Sequence, residues 1–188
     1  IKVVGHDHLD VAGSYKNIGT VLYRQGKFDE ALVQYQKCLD IETRVVGHEH
    51  PDVAASYHGI GNVLQEQGKY EEALQKYQNC LDIQTGVYGQ DQPDVADTRN
   101  NIGVVYEKQG KFDEALQEHT KSLDIRISVF GHMHPDVASS KENLGLVHKK
   151  MGKLSEAKQL FTEAAEIRRK VLGADHHLTK KSEKLAAT

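Results

Sequence analysis

Tryptophan is absent from this chain of 188 residues, proline occurs three times and cysteine twice. Each scarcity removes a class of protein. Two cysteines, Cys38 and Cys80, cannot build the disulfide framework of a small secreted domain. Three prolines exclude proline-rich linkers. No apolar run approaches the ~20 residues of a membrane-spanning helix. A surplus of one charge is also missing: 27% of residues are charged and the net charge is −3, so nothing points to nucleic acid or an anionic membrane as partner. No glycine-rich phosphate loop is present, and no arrangement of Ser, His and Asp suggests a catalytic centre. The expectation is a non-enzyme without cofactors. The start, IKVVGHDH, has neither an initiator Met nor the apolar core of a signal peptide. The chain therefore reads as a fragment of a longer protein in a reducing, cytoplasmic compartment.

What the sequence does contain is repetition. Gly5, Gly47, Gly89, Gly131 and Gly173 stand 42 residues apart. The expected units are 5–46, 47–88, 89–130 and 131–172, with 173–188 opening a fifth unit or forming a capping helix. The first two share about 26 of 42 residues. A fixed period without interruption means stacked supersecondary units, each too small to bury its own apolar face.

Each unit reads as two helices. In the second, Pro51 suits a first helical turn and Asp52 complements the positive end of the helix. Val53, Tyr57, Ile60 and Leu64 then recur at helical spacing. Gly68-Lys69 breaks that helix. Tyr70, Ala73, Leu74, Tyr77, Leu81 and Ile83 belong to a second helix ending before Gly89.

Small and aromatic residues inside these helices resemble the tetratricopeptide pattern, W-x2-L-G-x2-Y followed by A-x3-F and a Pro. The matches are Tyr15-x2-Ile18-Gly19-x2-Leu22 with Ala31-x3-Tyr35, and Tyr57-x2-Ile60-Gly61-x2-Leu64 with Ala73-x3-Tyr77. The third unit keeps Ile102-Gly103-x2-Tyr106 and Ala115, with His119 in the last aromatic slot, and the fourth keeps Leu144-Gly145, Ala157 and Phe161. The closing Pro is replaced by Thr43, Thr85, Ile127 and Arg169, so the second helix should run longer. The 42-residue period, HPDVA and QGKFDEAL narrow the resemblance to the kinesin light chain family. Similar long units occur in nephrocystin-like ciliary proteins and in nucleotide-binding oligomerising receptors. The resemblance implies an all-α fold, a right-handed α-solenoid of tandem helical hairpins.

Eight of the eleven histidines lie in the unit junctions: His6, His8, His48, His50, His132, His134, His176 and His177. The pairs flanking one residue could chelate a metal, but a zinc site needs about four ligands. Gln90 and Gln92 fill the equivalent places in the third unit, and Gln92-Pro93 is expected to do the same work without a ligand. The expected role is therefore helix capping, with metal binding the alternative. Cys38 and Cys80 share a slot with Ser122 and Ala164, which asks for small size and not for a thiolate.

Function in such arrays lies mainly on the first helix of each pair, which lines the concave face. With the core slots removed, the candidate groove residues are Lys16, Asn17, Tyr23, Arg24, His58, Asn62, Gln65, Asn100, Asn101, Lys108, Asn143, Lys149 and Lys150. Asn has poor helix propensity, yet Asn17, Asn101 and Asn143 fill one slot. Carboxamides donate and accept at once, which suits an extended peptide backbone. The other reading gives these Asn to helix–helix polar contacts. The resemblance favours the first, since the corresponding asparagines of kinesin light chains line the cargo groove, and it implies an acidic ligand. Groove charge is mixed, with Lys16, Arg24, Lys108, Lys149 and Lys150 set against Glu66, Asp97, Glu107 and Glu142. The expected function is a cargo-adaptor-like scaffold binding an extended segment of a protein or peptide partner, with no nucleic acid and no membrane partner. The alternative is the sensing or autoinhibitory array of a nucleotide-binding receptor. Self-association through exposed repeat ends is a further expectation.

Overall fold

The computed structural model describes residues 8–187. Among them are nine helices and no strand: α1 (Leu9–Arg24), α2 (Phe28–Val46), α3 (Pro51–Glu66), α4 (Tyr70–Tyr88), α5 (Pro93–Lys108), α6 (Phe112–Phe130), α7 (Pro135–Lys150), α8 (Leu154–Leu172) and α9 (His177–Ala186). None is long and apolar enough to cross a membrane. The chain divides into two compact units, Ile1–Gly89 and Gln90–Thr188. In the first, α1 pairs with α2 and α3 with α4, and α3 also packs on α2. In the second, α5 pairs with α6 and α7 with α8; α7 also packs on α6, and α9 on α8.

Local chemistry fixes the helix ends. His8, His50, His134 and His176 stand at N-cap positions, and each accepts, through Nδ1, the backbone N–H two residues on at 3.1–3.3 Å. That satisfies one of the donors every helix start leaves open. Gln92 occupies the same position before α5 but makes no side-chain capping bond, so the sequence expectation fails there. Its longer side chain costs more rotamer entropy to curl back. His6 lies outside the described residues, and His48 and His132 are exposed loop residues. Among the described residues, no three His, Cys, Asp or Glu are placed to hold a metal ion.

The first helices stop at a glycine turn. Gly68 sits at φ +74°, and Lys69 N–H returns to the Leu64 carbonyl at 2.9 Å, closing the last turn. The second helices have 19 residues against 16 for the first, as the missing proline predicts. Thr43, Thr85, Ile127 and Arg169 stay helical, and each carbonyl accepts the N–H of the glycine four residues on at 2.8–3.1 Å.

The core of each hairpin is one ring against one glycine. Tyr35, Tyr77, His119 and Phe161 share a slot and are at most 6% exposed. A Cβ built on Gly61 would stand 2.7 Å from the Tyr77 ring, and one on Gly145 would stand 2.6 Å from Phe161. Glycine is thus required at these close approaches between paired helices. Leu123, Val137, Ala138, Leu144, Ala164 and Ile167 form one apolar cluster spanning α6, α7 and α8. Cys38 packs with Ala12 and Ile41, and Cys38 and Cys80 are both buried free thiols.

Candidate functional site

The first helices turn their apolar stripe to the second helices and leave a polar face. In the first compact unit, Asn17 and Arg24 are exposed on α1. Lys16 lies beside them but points to the repeat junction, with Nζ 3.1 Å from Glu42 Oε1. Glu42 is only 3% exposed and also accepts Ser56 Oγ at 2.6 Å. Lys16 is therefore largely a counter-ion, not the open groove cation read from sequence. Tyr23 is half-buried, its ring 5.8 Å from Phe28; burial, then Glu66 and Tyr35, push its phenol up.

On α3 the predicted polar residues face a core ring. Tyr77 donates from its hydroxyl to Asn62 Oδ1 at 2.6 Å, with Gln65 Oε1 at 3.3 Å. His58 is half-buried, its ring 5.7 Å from that of Tyr77, and its Nδ1 is 3.4 Å from Asn62 Nδ2. Burial raises the Tyr77 phenol far above its ordinary value, so it stays protonated and able to donate. Gly59 stands where other units have Asn, and the structure supplies the reason. A Cβ there would meet Tyr35 Cε1 at 2.9 Å, so the ring of the preceding hairpin fills the space.

The second compact unit joins more of the predicted residues. Asn143 Nδ2 donates to Asn100 Oδ1 at 2.7 Å, linking α7 to α5. The same Asn100 oxygen is 3.2 Å from His119 Nδ1, and His119 Nε2 is 3.0 Å from Glu107 Oε1. Lys150 closes the chain by donating to Glu107 Oε2 at 2.8 Å. Burial pushes the Glu107 carboxyl up, but hydrogen bonds from His119 and Lys150 outweigh it and hold the group below its ordinary range. Asn101 is half-buried, and Lys108 and Lys149 are exposed. His119 entered the sequence reading only as a departure from an aromatic slot. Fully buried, it connects Asn100 to Glu107.

Three of the acids placed in the groove by sequence already have charged partners. Glu142 is 3% exposed, accepts from Arg168 and takes a 2.6 Å bond from Ser182 Oγ. Asp97 Oδ1 is 2.6 Å from Arg126 Nη2, and Glu107 belongs to the chain just described. The residues that sequence reasoning missed are Glu42, Arg126 and Arg168, buried in one slot of α2, α6 and α8, with Ser56, Ser140 and Ser182 in the slot they meet. The available signal was a polar or charged residue, Glu42, Gln84, Arg126 and Arg168, recurring at 42-residue spacing inside an otherwise apolar helical stripe.

Comparison with known proteins agrees with this geometry. The tetratricopeptide repeat model matches residues 10–85, 52–128, 94–170 and 136–188. No curated protein matches the chain. Among solved structures, BtubC (BKLC) from P. vanneervenii is similar with a TM-score of 0.81 and 27% identity, over 92% of this chain and 68% of that one. A putative kinesin light chain from Podosopora anserina with nearly identical TPR-like repeats gives a TM-score of 0.82 at 21% identity, covering 96% and 85% of the two chains. The latter likeness speaks to fold alone. The matched residues, the paired helices and the shared ring-against-glycine core agree: this chain belongs to the tetratricopeptide repeat family.

Proposed function

We propose that this chain is a non-catalytic interaction module that holds an extended, acidic segment of a partner protein against its first helices, in the manner of a cargo adaptor. The observation that carries the reading is the Asn143–Asn100 bond, which places the carboxamides of α5 and α7 side by side. Asn100 Oδ1 faces Asn143 and His119, so its Nδ2 is the group left to meet a ligand. A donor so fixed suits a peptide carbonyl. Lys108 and Lys149, exposed on the same two helices, favour carboxylates.

The test is a peptide array of extended segments, acidic and neutral, probed with the intact chain and with Asn100→Ala, Lys108→Ala and Lys149→Ala. Acidic peptides are retained, and each variant weakens them by about tenfold or less, as one hydrogen bond or partly solvated charge contact warrants. Retention unchanged in all three variants refutes the reading.

A further inference from the structure

One ring in the shared core slot is built to change its charge. Phe161 has no proton to exchange and burial keeps Tyr77 protonated, whereas His119 carries two ring nitrogens that either donate or accept. A Cβ on Gly103 would stand 2.8 Å from His119 Cε1 and 2.9 Å from both nitrogens, so the edge that bears them lies against α5. Asn100 and Glu107 flank that glycine on the same helix and meet one nitrogen each. Nδ1 is 3.2 Å from Asn100 Oδ1, and Nε2 is 3.0 Å from Glu107 Oε1. Helix α6 packs on α5 and α7. The charged groups these turn towards the ring are Glu107 from α5 and, through that carboxylate, Lys150 from α7.

We infer that His119 is a positioning residue for the groove: its proton decides whether Asn100 offers the ligand a donor or an acceptor, a role that rests on that groove holding a peptide. The Glu107 carboxylate only accepts, so Nε2 keeps its proton in either charge state of the ring. Asn100 Oδ1 also only accepts and already takes the Asn143 amide at 2.7 Å, so Nδ1 bonds it only by carrying a second proton. The arrangement seen is that of the imidazolium. Loss of the second proton sets an Nδ1 lone pair against Oδ1. Turning the Asn100 carboxamide over relieves this, because its Nδ2 then donates to Nδ1. Asn143 turns with it and accepts the other Asn100 N–H through its own Oδ1. Asn100 now shows the groove an oxygen in place of an N–H, and the positive charge beneath the pair is gone. The imidazolium form suits a peptide carbonyl with carboxylates nearby, and the neutral form suits neither. Acidic segments are therefore held best while the ring is protonated and are released as pH rises and the proton leaves.

The experiment has two arms. The first follows the ring and carboxamide nitrogen NMR signals of the isotopically labelled full chain, without ligand, from about pH 5 to 8, the range in which imidazole changes charge. The His119 Nδ1 signal should pass from that of an imidazolium to that of an unprotonated nitrogen, and the side-chain amides of Asn100 and Asn143 should move with the same midpoint. The second arm measures the affinity of a fluorescent peptide of Ser-Glu repeats for the parent and for His119→Tyr, the residue that Tyr35 and Tyr77 place in the same slot. Parent affinity should fall by about fivefold or more between about pH 6 and 8, and that of His119→Tyr by about twofold or less, as the loss of one hydrogen bond warrants. The other histidines are common to both chains, so the difference between the profiles belongs to His119. A ring whose charge stays fixed over the range, carboxamide signals that do not follow the ring, or the same pH profile in His119→Tyr overturns the proposal. Peptide unbound at both pH values defeats the groove reading alone, and the carboxamide signals, which need neither ligand nor variant, then decide the switch.

Discussion

Replacing Gly145 by alanine tests the packing that identifies the fold. In a helix interior this exchange alone stabilises by about 0.5–1 kcal/mol, because alanine loses less backbone entropy. The structure opposes it. The new Cβ would stand 2.6 Å from Phe161 Cε1, and Phe161 is 1% exposed, with a cavity beside it lined by Leu154, Ala157 and Leu185. Carbon atoms prefer about 3.5–4.0 Å, so the ring or helix α7 must shift by about 1 Å. Overpacking of this size costs about 1–3 kcal/mol. Gly13→Ala on α1 is the control, since nothing lies within 4 Å of the Cβ it would add and only the helical gain remains. The two variants should therefore differ by about 1–3 kcal/mol, with Gly145→Ala the less stable. Urea unfolding followed by far-ultraviolet circular dichroism reads the difference, with melts as a second probe because repeat arrays can unfold in steps. In a background of Phe161→Leu, which removes the offending ring atoms, the penalty of Gly145→Ala should shrink, a coupling of about 0.5–3 kcal/mol. Equal stability of Gly145→Ala and Gly13→Ala would refute the packing argument.

Other expectations follow from the buried polar groups. Burial pushes the Cys38 thiol up to about 11, so the folded chain should resist a thiol reagent at pH 8 and react fully in denaturant; fast labelling of the native chain contradicts the structure. Glu107 is held below its ordinary range when folded, so its contribution is present above the unfolded pKa, about 4.3, and is lost as pH falls through the folded value. The Glu107→Gln variant should accordingly show a flatter loss of melting temperature on acidification than the parent, and parallel curves would count against the His119–Glu107–Lys150 chain. Lys16→Ala strands the buried Glu42 carboxylate and should cost about 1–2 kcal/mol in urea, less than the loss of a fully buried partner because Lys16 keeps 28% of its side chain exposed. Adding Glu42→Gln should recover part of that loss, and no recovery means the lysine acts by packing instead.

Much of the fold was legible along the chain because it is local. Helix starts depend on histidine or proline a few residues away, helix ends on a glycine free to take positive φ, and pairing on an apolar stripe at helical spacing. The 42-residue period carried the rest, since a unit unable to bury its own apolar face must stack on the next. Gln92 failed as a cap because a cap needs a short, correctly directed acceptor, which residue type and position only suggest.

Charge was decided by the tertiary structure. Lys16, Glu107 and Glu142 occupy equivalent polar faces in sequence, and nothing local distinguishes an open groove charge from a buried partner. Only folding brings α2 within reach of Lys16, and α8 and α9 within reach of Glu142. The same holds for His119, whose place among Asn100, Glu107 and Lys150 depends on three helices meeting. Sequence alone determined the repeat, the helices and their core rings, because these rest on spacing within one unit. Which polar side chains stay in solvent was set by contacts between units of chain far apart in sequence, where desolvation and a charge partner a few ångströms away outweigh local preference.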